Sequence, residues 1–216
     1  MYITVNHINK TLKGRKILED VCLEMQGGTV YGFVGKNGSG KTMLFRAISG
    51  LMPIDSGSVI CNGKQLRKDM KILPNLGIQI ENAGLYPELT GFHNLQLLAK
   101  LNNKIDDEQI RDTIRKVGLD SFDKRPFRKY SLGMKQRIVL AQALMEKPDI
   151  LMLDEPTNTL DEDGINDIRN LILEEKRRGA LIMIASHNKE DIHLLADIVY
   201  QIREGCILRG KVKNEN

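Results

Sequence analysis

Eight residues, Gly35-Lys36-Asn37-Gly38-Ser39-Gly40-Lys41-Thr42, constrain this chain more than any other stretch, because they match the pattern G-x-x-x-x-G-K-[ST] in full. Glycines let a backbone curl until several N–H groups converge on one anion. A helix starting behind the curl adds the positive end of its dipole. Lys41 is placed to reach the β- and γ-phosphates of a nucleotide, and Thr42 to offer a hydroxyl to Mg²⁺. Such a loop needs a strand before it and a helix after it. Val30-Tyr31-Gly32-Phe33-Val34 reads as a short buried strand, and Met43 to Ser49 as a helix closed by Gly50.

The rest of the chain is read around that unit. Ile3, Val5 and Ile8 mark one strand, and Val21, Leu23 and Met25 alternate in a second. Ser58 to Cys61 followed by Asn62-Gly63 is a strand ending in a tight turn, and Leu76 to Ile80 is another short apolar run. From Phe92 to Gly118 the spacing turns helical, with Asp106-Asp107 suited to a helix start. Ser131 has the position of a cap for a helix through Ile138, Ala141 and Met145 that stops at Lys147-Pro148. Beyond Pro148 the strand–helix alternation returns: Ile150 to Leu153, a helix face Ile165/Ile168/Leu171/Ile172, Ala180 to Ala185, a helix Asp191 to Ala196, and a hairpin across Glu204-Gly205. This order predicts a mostly parallel sheet with covered faces and a helical block inserted within it.

Two further constellations carry chemistry. Four apolar residues followed by Asp154-Glu155 deliver two acids to the carboxyl end of a strand, where α/β sheets place ligands. Asp154 suits Mg²⁺, and Glu155 suits the polarisation of an attacking water. Ser186-His187 follows another apolar strand on the same edge and offers an N–H donor to a phosphate or to that water. His7, His93 and His193 have no such setting. Tyr130 to Arg137 is a second capped helix start containing a glycine, by itself an ordinary one.

Bulk properties narrow the field. The 216 residues suffice for one large domain or two small ones. No apolar run has bilayer length and the first residues alternate like a strand, so the expected location is cytoplasmic, at a membrane only through a partner. A net charge of +4 with interspersed signs and no Trp gives no footing for nucleic acid. Cys22, Cys61 and Cys206 are far apart, lack metal-ligand spacing, and read as mostly buried hydrophobes.

Taken in this order, the phosphate loop, the Ser131–Arg137 stretch and Asp154-Glu155 resemble the ATP-binding subunit of ABC transporters, over essentially the whole chain. The resemblance implies an α/β P-loop NTPase fold of the ABC ATPase type. A RecA-like core (1–84 and 148–216) carries an N-terminal antiparallel β subdomain, and residues 85–147 form an inserted helical subdomain. It implies ATP and Mg²⁺ as cofactors, with Gly35 to Thr42 on the phosphates, Thr42 and Asp154 on the metal, Glu155 as general base and His187 as switch histidine. Leu12 and Ile17 fall on the adenine side, Glu81 on the Q-loop, and Leu160-Asp161 at the end of the D-loop. Ser131, Gly133 and Met134 belong to the signature, which caps the γ-phosphate held by a second subunit in a head-to-tail, ATP-dependent dimer. That dimer, of two copies or of one copy with a related subunit, drives a separate membrane permease. A groove between about Glu81 and Arg128 receives a short permease helix, and Leu85, Tyr86 and Phe92 are either its lining or core.

Four positions depart from the family pattern. Leu12 stands where an aromatic usually stacks on adenine. Glu81 replaces the Q-loop glutamine, as a metal-side ligand or turned toward the permease, with Gln79 a weaker fit to the role. The signature reads Ser-Leu-Gly-Met, and Thr159 replaces a small residue. The glutamate and the Ser-Leu-Gly-Met-Lys-Gln-Arg signature are similar to the subgroup serving bacitracin resistance and lantibiotic self-protection, and the short C-terminal region also favours an exporter. The departures leave open a nucleotide-gated module with weak hydrolysis. A soluble ABC protein acting on DNA or ribosomes would need inserts or a second ATP domain that 216 residues do not accommodate.

Overall fold

Two long strands open the chain, β1 (Tyr2–Leu12) and β2 (Arg15–Gln26), paired antiparallel so that Ile3 faces Met25, Val5 faces Leu23 and Ile8 faces Val21. Strict alternation would put the third apolar pair one residue earlier. Instead the register shifts between Val5 and Ile8, and His7 adopts φ +47° to absorb the extra residue. Asp20, opposite, does the same at φ +48°. The computed structural model describes residues 1–80 and 84–212, with side chains through 208.

Next come β3 (Val30–Val34), α1 (Lys41–Ser49), β4 (Ser56–Cys61), the two-residue β5 (Lys64–Gln65) and β6 (Leu76–Gln79). The helical segment holds α2 (Gly91–Asn102), α3 (Asp107–Lys116) and α4 (Leu132–Leu144). The chain then runs through β7 (Ile150–Asp154), α5 (Glu162–Arg177), β8 (Leu181–Ala185), α6 (Lys189–Leu195), β9 (Ile198–Arg203) and β10 (Cys206–Val212). Two helix starts, those of α1 and α6, come two residues before the sequence expectation. α1 begins at Lys41 because Gly40 is its cap, and α6 at Lys189 because the Asn188 side chain accepts from Glu190 N–H.

Two sheets result. One is antiparallel, in the order β2-β1-β4-β5; the other has six strands in the order β10-β9-β3-β8-β7-β6 and is parallel except for β10. The central strands are apolar on both faces, as a covered parallel sheet requires. Alternate residues serve two interiors. Ile150 and Met152 of β7 pack with α1 and the antiparallel sheet, whereas Leu151 and Leu153 pack with α2 to α5. The helical segment therefore shares its core with one face of the parallel sheet. Phe92 is buried in that core and Leu85 packs against it, while Tyr86 is 62% exposed. Among the described residues, no helix is long and apolar enough to cross a membrane.

Candidate nucleotide site

The loop after β3 reaches α1 through Gly40, whose φ of +111° is left-handed and whose added β-carbon would lie 3.0 Å from the Ile17 carbonyl. Gly40 brings no side chain to cap α1. The other α-helices among the described residues are each capped by a side chain: Thr90, Asp106, Ser131, Asp161 and Asn188. The first turn of α1 is thus open toward an anion. Ser39 Oγ beside it is buried with no hydrogen-bond partner among the described residues. Lys41 is only 7% exposed, and its ammonium donates to the carbonyls of Gly35 (2.7 Å) and Lys36 (3.4 Å), which fold the side chain back over the loop.

The carboxyl end of β7 meets this loop directly. Thr42 donates its hydroxyl to Asp154 Oδ2 at 2.5 Å, and Gln79 donates Nε2 to the Asp154 carbonyl at 2.9 Å. Glu155 has φ +53°, a strained conformation for a non-glycine residue costing roughly 1–3 kcal/mol. Its surroundings hold it there. Glu155 N–H donates to the Ala185 carbonyl (2.8 Å), and Gln136 Nε2 donates to the carbonyls of Glu155 and Pro156, both at 3.1 Å. The carboxylate accepts from His187 N–H at 3.1 and 3.3 Å and lies 2.8 Å from His187 Nδ1. Two residues beyond Glu155, the Thr157 hydroxyl donates to Asp191, which is fully buried and also bound by Arg169 Nε at 2.8 Å.

Lys41, Thr42, Asp154, Glu155 and His187 line one cleft of about 740 Å³ together with Leu12, Arg15 and Ile17. An open helix terminus, an orphaned buried hydroxyl and a lysine fit a polyphosphate. A hydroxyl beside a carboxylate is a hard-oxygen pair that fits Mg²⁺. Glu81 lies outside the described residues.

None of Ser131, Gly133 and Met134 lines that cleft. They start α4, where Ser131 Oγ accepts from Met134 N–H at 3.2 Å and Leu132 is 71% exposed. Gly133 lies so close to the next segment that an added β-carbon would be 3.0 Å from the Thr159 carbonyl. Asp161 caps α5 and accepts from Arg137 Nη2 at 3.3 Å, so the α4 start and the Thr159–Asp161 turn form one surface. Arg125 approaches Met134 Sδ at 3.8 Å, and its hydrogen bonds hold the Asp123 carboxyl below the usual carboxylate range. Burial raises the neighbouring Tyr130 phenol, whose oxygen accepts from Gly91 N–H.

Residues 18–158 match the family model described as ABC transporter. The chain belongs to this family of ATPases. An uncharacterised ABC transporter ATP-binding protein of Bacillus subtilis, YybJ, is 46% identical over 203 residues, 94% of this chain and 93% of its own length. The lantibiotic transport ATP-binding protein SrtF of Streptococcus pyogenes is 36% identical, covering 97% of this chain and 90% of its own. The bacitracin transport ATP-binding protein BcrA of Bacillus licheniformis is 38% identical, covering 95% and 68%. The fold is that of the solved ATP-binding cassette MJ0796 in a dimeric post-hydrolysis state bound to ADP and Pi. That structure superposes with a TM-score of 0.89 at 19% identity, covering 99% of this chain and 100% of the other.

Within this ABC cassette, several site contacts escape a reading of the sequence. Gln79, a weaker Q-loop candidate there, and Gln136, within the signature stretch, both grip main chain around the acid pair, contacts that only tertiary structure creates. Arg15, at the start of β2, and Asn158, in the turn after β7, join the cleft with no motif of their own. Asp191 and Arg169 occupy helix positions that look solvated, and nothing in the local sequence marks their pairing. Cys22 is exposed, against the expectation of burial, because it alternates with the buried Val21, Leu23 and Met25 along β2.

Proposed function

We propose that this cassette binds and hydrolyses ATP to energise a separate membrane permease exporting an antimicrobial peptide or a similar small substrate, and that it reaches the membrane through that permease. The carrying observation is the convergence of Lys41, the Thr42–Asp154 pair and the Glu155–His187 pair on one cleft, while the Ser131 helix start faces outward elsewhere. The relatives named for lantibiotic and bacitracin transport support the substrate class.

The chain's own groups divide the work. The loop amides of residues 36–42 and Lys41 bind the phosphates. Thr42 and Asp154 would hold Mg²⁺, which when bound screens phosphate charge. Glu155 accepts the proton of the attacking water at its carboxylate. His187 holds that carboxylate in place through its backbone N–H and ring, and is positioned to donate once Glu155 turns to its task. Leu12 and Ile17 offer apolar contact to the base. The helical segment 85–147 presents Ser131, Gly133 and Met134 to the phosphates of a second cassette, with the Asp161 turn beside them. Glu81 is assigned to the junction between cleft and permease, and exposed Tyr86 to the permease contact.

The test is Glu155→Gln. Nucleotide binding should persist, a closed ATP-bound dimer should accumulate on size-exclusion chromatography, and turnover should drop by about 10³-fold. Hydrolysis at the wild-type rate would remove Glu155 from its role. Mg²⁺-dependent turnover by the unmodified chain, alone or with its permease, would rule out a purely nucleotide-gated module.

A further inference from the structure

A second set of chemically reactive side chains sits away from the cleft, on the bulged hairpin of β1 and β2. His7 Nδ1 lies 2.7 Å from Asp20 Oδ1 and 3.5 Å from Cys22 Sγ, and the three donor atoms all lie within 4.8 Å of one another. All three residues are exposed, and none lines the nucleotide cleft. We propose that His7, Asp20 and Cys22 form a surface site for a borderline-soft divalent cation, Zn²⁺ above all, bound through nitrogen, oxygen and sulfur with water completing a tetrahedron.

The donor spacing matches that coordination. With Zn–N and Zn–O near ~2.0 Å and Zn–S near ~2.3 Å, a tetrahedron has N–S edges of about 3.5 Å and N–O edges of about 3.3 Å. The nitrogen and sulfur already stand at the first separation. The nitrogen and oxygen, now hydrogen-bonded, need to part by roughly 0.6 Å for the second. Exposed side chains make such adjustments within their rotamers. The donor types also select the metal: imidazole and thiolate together favour Zn²⁺ over Mg²⁺ or Ca²⁺, which take oxygen. Coordination deprotonates the Cys22 thiol, and the proton passes to solvent.

The scaffold beneath is fixed. His7 and Asp20 both hold left-handed backbone at the two bulges. A single side chain locks the two together: Asn9 donates Nδ2 to the His7 carbonyl at 2.9 Å and accepts from Asp20 N–H at 3.0 Å through Oδ1. His7 N–H in turn donates to Cys22 Sγ at 3.3 Å, which ties the sulfur to the same bulge. The bulges thereby bring onto one patch three residues that strict alternation along the strands would distribute differently.

The experiment titrates the reduced, nucleotide-free full chain with Co²⁺ as a spectroscopic stand-in. One equivalent should give intense visible d–d bands and a sulfur-to-metal charge-transfer band, and Zn²⁺ should bleach both. Cys22→Ser should abolish the charge-transfer band, and His7→Ala should weaken binding at least about tenfold. Cys206→Ser, at the other partly exposed thiol, should change neither. Absence of a one-to-one complex, binding unaltered by His7→Ala or Cys22→Ser, or loss in Cys206→Ser would each overturn the proposal. No readout here involves ATP, so the result stands apart from the fate of the transport reading.

Discussion

Two helix starts in this molecule carry the same elements of an anion site and use them oppositely. At α1 the cap is a glycine, the first turn is open, and a buried lysine folds over it. At α4 the cap is Ser131, whose hydroxyl is already bonded to Met134 N–H, beside a leucine exposed to solvent. The first is half of a site completed within the chain by Asp154, Glu155 and His187. The second has no such complement beside it among the described residues, where its neighbour is the Thr159–Asp161 turn. On the function proposed above, the start finished internally binds nucleotide within one chain, and the self-capped, outward-facing one serves a second cassette. The two differ in support as well as in shape.

Variants can break this contrast. The largest effect belongs to the support of the acid pair: Arg169→Ala leaves the buried Asp191 carboxylate without its guanidinium. It should cost about 3–5 kcal/mol in urea unfolding, with turnover falling in step with folded fraction. Lys41→Ala should weaken nucleotide binding by the isolated chain by about 100-fold, roughly 2.7 kcal/mol, measured by fluorescent-nucleotide titration. Ser131→Arg should leave that single-chain affinity within about twofold, yet lower turnover by about 100-fold and abolish the ATP-dependent dimer. Equal loss of single-chain affinity in the last two variants would erase the distinction between the starts. Smallest, Ser131→Ala removes a cap and should cost about 1 kcal/mol, read as a few degrees in Tm. At α1 no cap-removing substitution exists to compare, since Gly40 provides none.

Much of this was legible in the primary structure. The apolar runs of β3, β7 and β8 announce covered parallel strands, and Ser131 and Asp106 announce helix starts, because each depends on local chemistry alone. Asp154, Glu155 and His187 were placed on one edge by the rule that strand ends carry ligands, and the structure does bring them together. What stayed hidden depends on register and on distance in space. His7 does not betray its neighbours Asp20 and Cys22 in sequence, since an inserted residue in β1 decides that it points outward. Gln136 and Gln79 bind main chain rather than side chains, so no residue pairing marks them. Phe92 reads equally as contact surface or interior until the sheet beneath it is seen.

The double allegiance of β7 limits how such a motor can be retuned. Any shift of Ile150 to Leu153 must disturb packed material above and below at once, so the strand behaves as a fixed anvil. Changes in working rate therefore have to come from the turns that leave it, residues 155–161 and 186–188. A screen for faster or slower variants should find its hits there, and mostly misfolded protein along the strand.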